Sequence, residues 1–258
     1  MTPIPLIATH LFLAAVFCFM GNVAIRLLVT RLQDVSPSGR WQNVIRAAAG
    51  LAFLCLAVGL ALSATQRNGW PLMTGSEVIV ASAAAAILWR FLHPYNGEWK
   101  WEALCDLAAG ALVIWGIVRW PMSQIASVVQ AVPQPWQFAL HLLLSLACGA
   151  FIHAGSIALA CLLTETRIHK TCGEKAGYCA VSLGLPFLTA SLLLNAIIGL
   201  YTRGTYWDWS TVESWQLLAW LLYAIVWCAW VVLGWRGRRI WVLTTLGLVL
   251  ILLVLHTI

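Results

Sequence analysis

"LGLPFLTASLLLNAIIGLYTRGTYWDWSTVESWQLLAWLLYA", residues 183–224, decides how this chain is built. An apolar run gives way to a short segment crowded with rings and charges, and a second apolar run follows. Residues 204–215 hold four aromatic rings, Tyr206, Trp207, Trp209 and Trp215, together with the carboxylates Asp208 and Glu213. Ser210-Thr211-Val212-Glu213 has the S-x-x-E spacing of a capping box, in which a hydroxyl and a carboxylate satisfy backbone N–H groups at a helix start. Ser210 is therefore the expected N-cap of the second run and Glu213 its N3 residue. Crossing a bilayer takes about 20 mostly apolar residues, and both runs reach that length. The aromatic segment then lies at a membrane surface.

The same reading extends along the chain. Its 258 residues are 62% hydrophobic and only 9% charged, against roughly 25% charged in a soluble domain, so the expectation is an integral membrane protein. Eight stretches qualify as spans, at 5–29, 47–64, 76–92, 103–120, 137–163, 177–200, 215–235 and 240–257. The first lacks the basic start and small-residue cleavage site of a signal peptide and reads as a retained span. The fold class is all-α, a polytopic membrane protein of about eight transmembrane helices, with residues 1–258 forming one transmembrane domain and 203–220 its external Trp-rich segment.

Basic residues orient the spans. Arg26, Arg31, Arg40, Arg46, Arg90, Lys100, Arg167, Lys170, Lys175, Arg236, Arg238 and Arg239 fall on one side, and only Arg67, Arg119 and Arg203 on the other. That asymmetry puts the basic side in the cytoplasm. Both termini and the Trp-rich segment then face outward, to the periplasm of a bacterial inner (plasma) membrane. The net charge of +6 is a topology signal facing membrane lipid and calls for no nucleic-acid partner. Seven of the eight cysteines fall inside spans and Cys172 in an inner loop, with no C-x-x-C pair, so neither structural disulfides nor a redox motif is expected.

Three histidines, His10, His141 and His256, lie near outer helix ends, and His153 lies mid-span. Each is readable alone as an interfacial polar residue, and the tryptophans as an aromatic belt. Taken together they suit haem, whose macrocycle stacks on aromatic rings, whose iron takes imidazole nitrogen and whose propionates pair with arginine. In an extended segment Trp207 and Trp209 would point to one side and form a flat shelf. A diheme b-type arrangement fits poorly, because His141 and His153 are twelve residues apart, about 120° around an ideal helix. At about 18–20 Å below the outer face, His153 and Cys228 share a depth. They are readable as an inner haem station or as a packed histidine beside an inert cysteine.

The quoted stretch, followed by "GWRGRR" at 234–239, resembles the tryptophan-rich signature and flanking spans of the CcsA/ResC cytochrome c assembly proteins, with their HemX-like and YpjD-like relatives. That signature, approximately W-x-W-D-P-K-E-x-W-x-L-x-x-W, maps onto Trp207, Trp209, Glu213, Trp215, Leu217 and Trp220. "WQFALH", 136–141, is similar to the approach to the family's first external histidine, and "NGWPLMTGSE", 68–77, to its segment before the third span. Ser210 stands where the family has Asp, with the charge moved to Asp208, and Cys228 where some members carry an intramembrane histidine.

The resemblance implies haem b held at the outer face and presented to an apocytochrome c for thioether attachment. His141 and His256 would be the iron ligands, Trp207, Trp209, Trp215 and Trp220 the aromatic site with Asp208 and Glu213, and Arg67, Arg119 and Arg203 candidate propionate partners. It also implies a second membrane assembly protein with an external domain, since the longest outer loop, near 121–136, is too short to fold alone. Whether the chain belongs to a cytochrome c synthase (haem lyase) complex stays open. The alternatives are a HemX-like accessory protein that holds haem or stabilises a complex, and a transporter or structural subunit whose Trp-rich segment is only an anchor.

Overall fold

A computed structural model describes the backbone at residues 6–33, 39–66, 70–92, 99–123, 133–163 and 167–258, and the side chains over most of that range. Its described elements are all helices: α1 (Leu6–Gln33), α2 (Gly39–Gln66), α3 (Gly75–Leu92), α4 (Trp99–Ser123), α5 (Gln134–Leu163), α6 (Arg167–Arg203), α7 (Thr211–Val231) and α8 (Arg238–Thr257). Among the described residues, six segments are long and apolar enough to cross a membrane: Asn43–Thr65, Gly75–Leu92, Gln134–Leu163, Gly173–Arg203, Thr211–Val231 and Arg238–Thr257. In α1 the shorter apolar stretch is His10–Arg26. The protein is an all-α, multi-pass membrane protein.

Each of the eight expected spans coincides with a helix, and the boundaries differ in an instructive way. The first turns of α2 and α6 precede the apolar windows by eight and ten residues, because a helix continues into the interface after its side chains turn polar. At the other extreme α7 stops at Val231, four residues early, where Trp235 N–H turns back to the Ala229 carbonyl and Gly234 takes φ 62°. Pro186 lies inside α6. It has no N–H to donate back along the helix, a loss that membrane helices accommodate through neighbouring groups.

Two helices form the centre. α3 packs against α2, α4 and α5, and α5 packs against α3, α4, α6 and α8; α1 closes on α2 and α4, and α7 on α6 and α8. Small residues permit the central approach: a methyl group on Gly149 of α5 would meet the backbone of Ala85 and Ala86 on α3. With no hydrophobic force between helices in lipid, such close backbone packing is a main source of association. Alternating helix directions bring the start of α3, α5 and α7 and the finish of α4, α6 and α8 to one end of the bundle.

At the opposite end a buried charge network joins three helices. Arg26 of α1 pairs with Glu102 and lies 3.9 Å from Asp106, both on α4. Arg90 of α3 pairs with Asp106 and lies 3.6 Å from Glu102. Arg26, Arg90 and Asp106 are all buried. Two cations and two anions cancel, which makes this burial tolerable.

Candidate functional site

The site is built where α3 begins. Thr74-Gly75-Ser76-Glu77 is a second capping box: Thr74 Oγ1 accepts from Glu77 N–H at 3.4 Å, and Glu77 Oε2 accepts from the N–H groups of Met73 and Thr74 at 2.9 and 3.4 Å. Ser63 of α2 donates to Glu77 Oε1 at 2.6 Å and ties the turn to the neighbouring helix. Two residues ahead of Thr74, Leu72 is buried with φ 61°, a left-handed conformation costing about 1–2 kcal/mol in an L-residue. Its side chain is fixed and its carbonyl points to α5. There it meets His141 Nδ1 at 2.5 Å.

A carbonyl only accepts, so His141 Nδ1 carries the proton and Nε2 carries the lone pair. This is the arrangement typical of metal-binding imidazole, where the second ring nitrogen is fixed by a hydrogen bond to a carbonyl or carboxylate. Beside it Trp70 and Phe138 form a tilted aromatic pair with centroids 5.4 Å apart.

On the other side of the same turn stands α8. A methyl group on Gly75 would overlap the Ile258 carbonyl, so the end of α8 rests on the start of α3. The His256 ring, exposed, stacks on Trp115 of α4 at 5.6 Å between centroids and 24° between planes. Arg119, one helical turn after Trp115, donates to the His256 carbonyl, a cation placed at the negative end of α8. The turn before α3 thus meets His141 through Leu72, and α3's first residue, Gly75, meets Ile258, two residues after His256. Arg67 lies outside the described residues.

The Trp-rich segment occupies the α6–α7 side of this end. Ser210 is the N-cap of α7, extended at φ −62° and ψ 157°, and its hydroxyl accepts from Glu213 N–H at 3.3 Å. Glu213 is buried; its carboxylate accepts from Arg203 Nη2 at 2.8 Å, Asn195 Nδ2 at 3.1 Å and Asp208 N–H at 2.9 Å. Arg203 Nη1 also lies 3.6 Å from Asp208. Two carboxylates outweigh the one guanidinium here.

The expected flat shelf is not formed. Trp209 has φ 50°, which breaks the alternation of an extended strand, and the Trp207 and Trp209 rings meet edge to face at 6.1 Å and 76°. Trp207 is half-buried against the core with a buried indole N–H that has no partner among the described residues, while Trp209 is 75% exposed. Trp215 packs on the core. Trp220 is a strut, its Nε1 donating to Thr189 Oγ1 of α6 at 2.8 Å.

The two inner candidates are not brought together. His153 is buried on α5, whereas Cys228 is exposed on α7. The α7 face that meets α5 is marked by Tyr223, stacked on Phe151 at 3.8 Å, and Cys228 lies five residues on, about 140° around the helix. Among the described residues no group of three or more His, Cys, Asp or Glu side chains is placed to hold a metal ion.

The sequence singled out 68–77 by its resemblance but assigned no role to Trp70, Leu72, Thr74 or Glu77 within it, and it gave no sign of Trp115. Only Thr74 and Glu77 carried a local signal, the T-x-x-E spacing at 74–77.

No protein-family model matches the chain. It is similar to the cytochrome c biogenesis protein CcsA of Synechococcus elongatus, 35% identical over 74 residues that cover 29% of this chain and 23% of that protein. The CcsA protein of Marchantia polymorpha is 36% identical over 70 residues, 27% of this chain and 22% of the relative. That of Chlamydomonas reinhardtii is 26% identical over 159 residues, 58% of this chain and 44% of the relative. The chain spans less than half the length of these curated relatives.

Proposed function

Because the chain is a relative of the CcsA-type cytochrome c biogenesis proteins, we propose that it acts in cytochrome c biogenesis by holding haem b at the α3-start end of its bundle. The supporting observation is the His141–Leu72 bond, which occupies Nδ1 and makes Nε2 the ring nitrogen with the lone pair. When bound, haem would supply an iron that takes imidazole nitrogen and vinyl groups able to form thioethers with an apocytochrome c.

The residues fit that group in part. His141, bonded to the turn before α3, would be the first ligand, and His256, held by Trp115 and Arg119 near the end of α8, the second. Exposed Trp209 offers a ring face, and Trp207 holds an unpartnered buried N–H suited to a carboxylate oxygen. Arg119 and Arg67 are the propionate partners. Arg203 instead serves the fold, because Glu213 and Asp208 already bind it. Trp215, Trp220, Glu213 and Asp208 shape the segment that carries Trp207 and Trp209.

The same reading places this end in the periplasm, with the chain in a bacterial inner membrane beside a second membrane protein that carries an external domain. Apocytochrome c is the acceptor, and any synthase activity belongs to that complex. The HemX-like accessory reading draws on the net negative charge around Arg203, which disfavours a propionate in the signature itself.

The test is purification of the full chain with matched expression of wild type and His141→Ala. Haem retention, read as a Soret band, is expected in the first and sharply reduced in the second. Restoration of cytochrome c maturation in a strain lacking its own assembly protein separates the delivery role from the accessory one; haem retention without maturation would favour the accessory.

A further inference from the structure

The end of the bundle opposite His141 carries a feature that haem handling does not use. A cavity of about 440 Å³ opens between the start of α6 and the α7–α8 link, lined by Glu174, Lys175, Tyr178, Trp230, Val231 and Arg236. Its architecture is fixed by the backbone. Glu174 Oε1 accepts from Gly237 N–H at 2.8 Å and clamps the link to α6. Arg236 Nη1 donates to the carbonyls of Trp230 and Trp235, each at 3.0 Å, which leaves the donors of Nε and Nη2 for another acceptor. The apolar wall is equally ordered: Trp230 meets Tyr178 edge to face at 5.5 Å and Trp241 at 6.1 Å.

Charge and polarity say what fits. Lys175, Arg236, Arg238 and Arg239 are exposed at this cavity and its rim against one acid, Glu174, for a net charge of +3. Val231, Val232, Leu233 and Trp235 are exposed on the adjoining surface, where helices face lipid. A basic mouth continuous with an exposed apolar flank suits a molecule with an anionic head and acyl chains. We propose that this cavity binds the phosphate headgroup of an anionic phospholipid, with Lys175 and Arg236 on the phosphate, Trp230 and Tyr178 beneath the glycerol, and the chains lying along Val231 and Leu233.

Basic pockets between membrane helices on the cytoplasmic side hold such headgroups, and each Lys or Arg near the surface contributes about 1 kcal/mol, about fivefold in affinity. The assignment is independent of haem. It rests on the cavity, its cations and the membrane reading of the fold.

Native mass spectrometry of the full chain in detergent micelles, titrated with phosphatidylglycerol or phosphatidylcholine, tests it. Wild type retains phosphatidylglycerol over phosphatidylcholine. Lys175→Ala, which alters an exposed side chain, weakens retention about fivefold, and adding Arg236→Gln weakens it further. Arg46→Gln, an exposed cation elsewhere at this end, retains lipid as wild type does. Inorganic phosphate at millimolar concentration does not displace the lipid. Equal retention in Lys175→Ala and wild type, equal loss in Arg46→Gln, no preference between the two lipids, or displacement by phosphate alone would each overturn the proposal, the last by making the ligand a free phosphate.

Discussion

His141 Nδ1 donates to the carbonyl of Leu72, a buried leucine held in the left-handed region at φ 61°. The bond joins α5 to the turn before α3 and sets the tautomer, so the ring's two nitrogens have different duties. His141→Asn can keep the donor at the Nδ1 position while removing Nε2, and His141→Ala removes both. Haem retention is expected to fall in both variants. Only His141→Ala should lose stability, by about 1 kcal/mol for one hydrogen bond. Matched haem content in His141→Asn and wild type would reduce His141 to a structural residue.

The cap of α7 separates two roles that the signature combines. Ser210→Ala removes the acceptor for Glu213 N–H and is expected to cost about 1 kcal/mol, whereas Ser210→Asp keeps a capping oxygen and is tolerated. Glu213→Ala should cost more, about 2–3 kcal/mol, because Arg203, Asn195 and Asp208 N–H all lose a buried charged acceptor. Thermal unfolding in detergent reads both. A Glu213→Ala variant as stable as wild type would make those bonds incidental.

The eight described helices were legible because long apolar stretches declare themselves, six of them long and apolar enough to cross a membrane, and Ser210 and Glu213 because a capping box is local. The seat of His141 was not legible: Leu72 is 69 residues away, and only the packing of α3 on α5 brings its carbonyl there. The Trp207–Trp209 shelf failed for the converse reason. One residue with positive φ cancels the period-two rule that predicted it. Depth alone linked His153 to Cys228, but helix rotation, which depth ignores, turns Cys228 outward.

Removing one charge from the network at the basic end should be more damaging than removing a pair. Asp106 is buried between Arg90 and Arg26, with Glu102 alongside. Asp106→Ala leaves two guanidinium groups sharing one carboxylate in the bundle, and breaking a buried pair in this way costs about 3–5 kcal/mol. The double variant Asp106→Ala, Arg90→Ala restores neutrality and should recover part of that loss. Thermal unfolding of the two variants in detergent checks the order; a double variant less stable than the single one would mean that Arg90 contributes through packing more than through charge.

The end of α8 tests whether the two histidines form one site. Gly75 has no side chain where the Ile258 carbonyl rests, and Trp115 and Arg119 grip His256 from α4. An alanine at 75 would need the last turn of α8 to shift while α4 still holds it, an overpacking that costs about 1–3 kcal/mol. His141 and Leu72 lie on the other side of the turn and keep their bond. Gly75→Ala is therefore expected to reproduce the Soret position and reduced haem retention of His256→Ala, with the His141 contribution intact. Wild-type retention and line shape in Gly75→Ala would separate the seating of α8 from haem binding and remove His256 from the ligand pair.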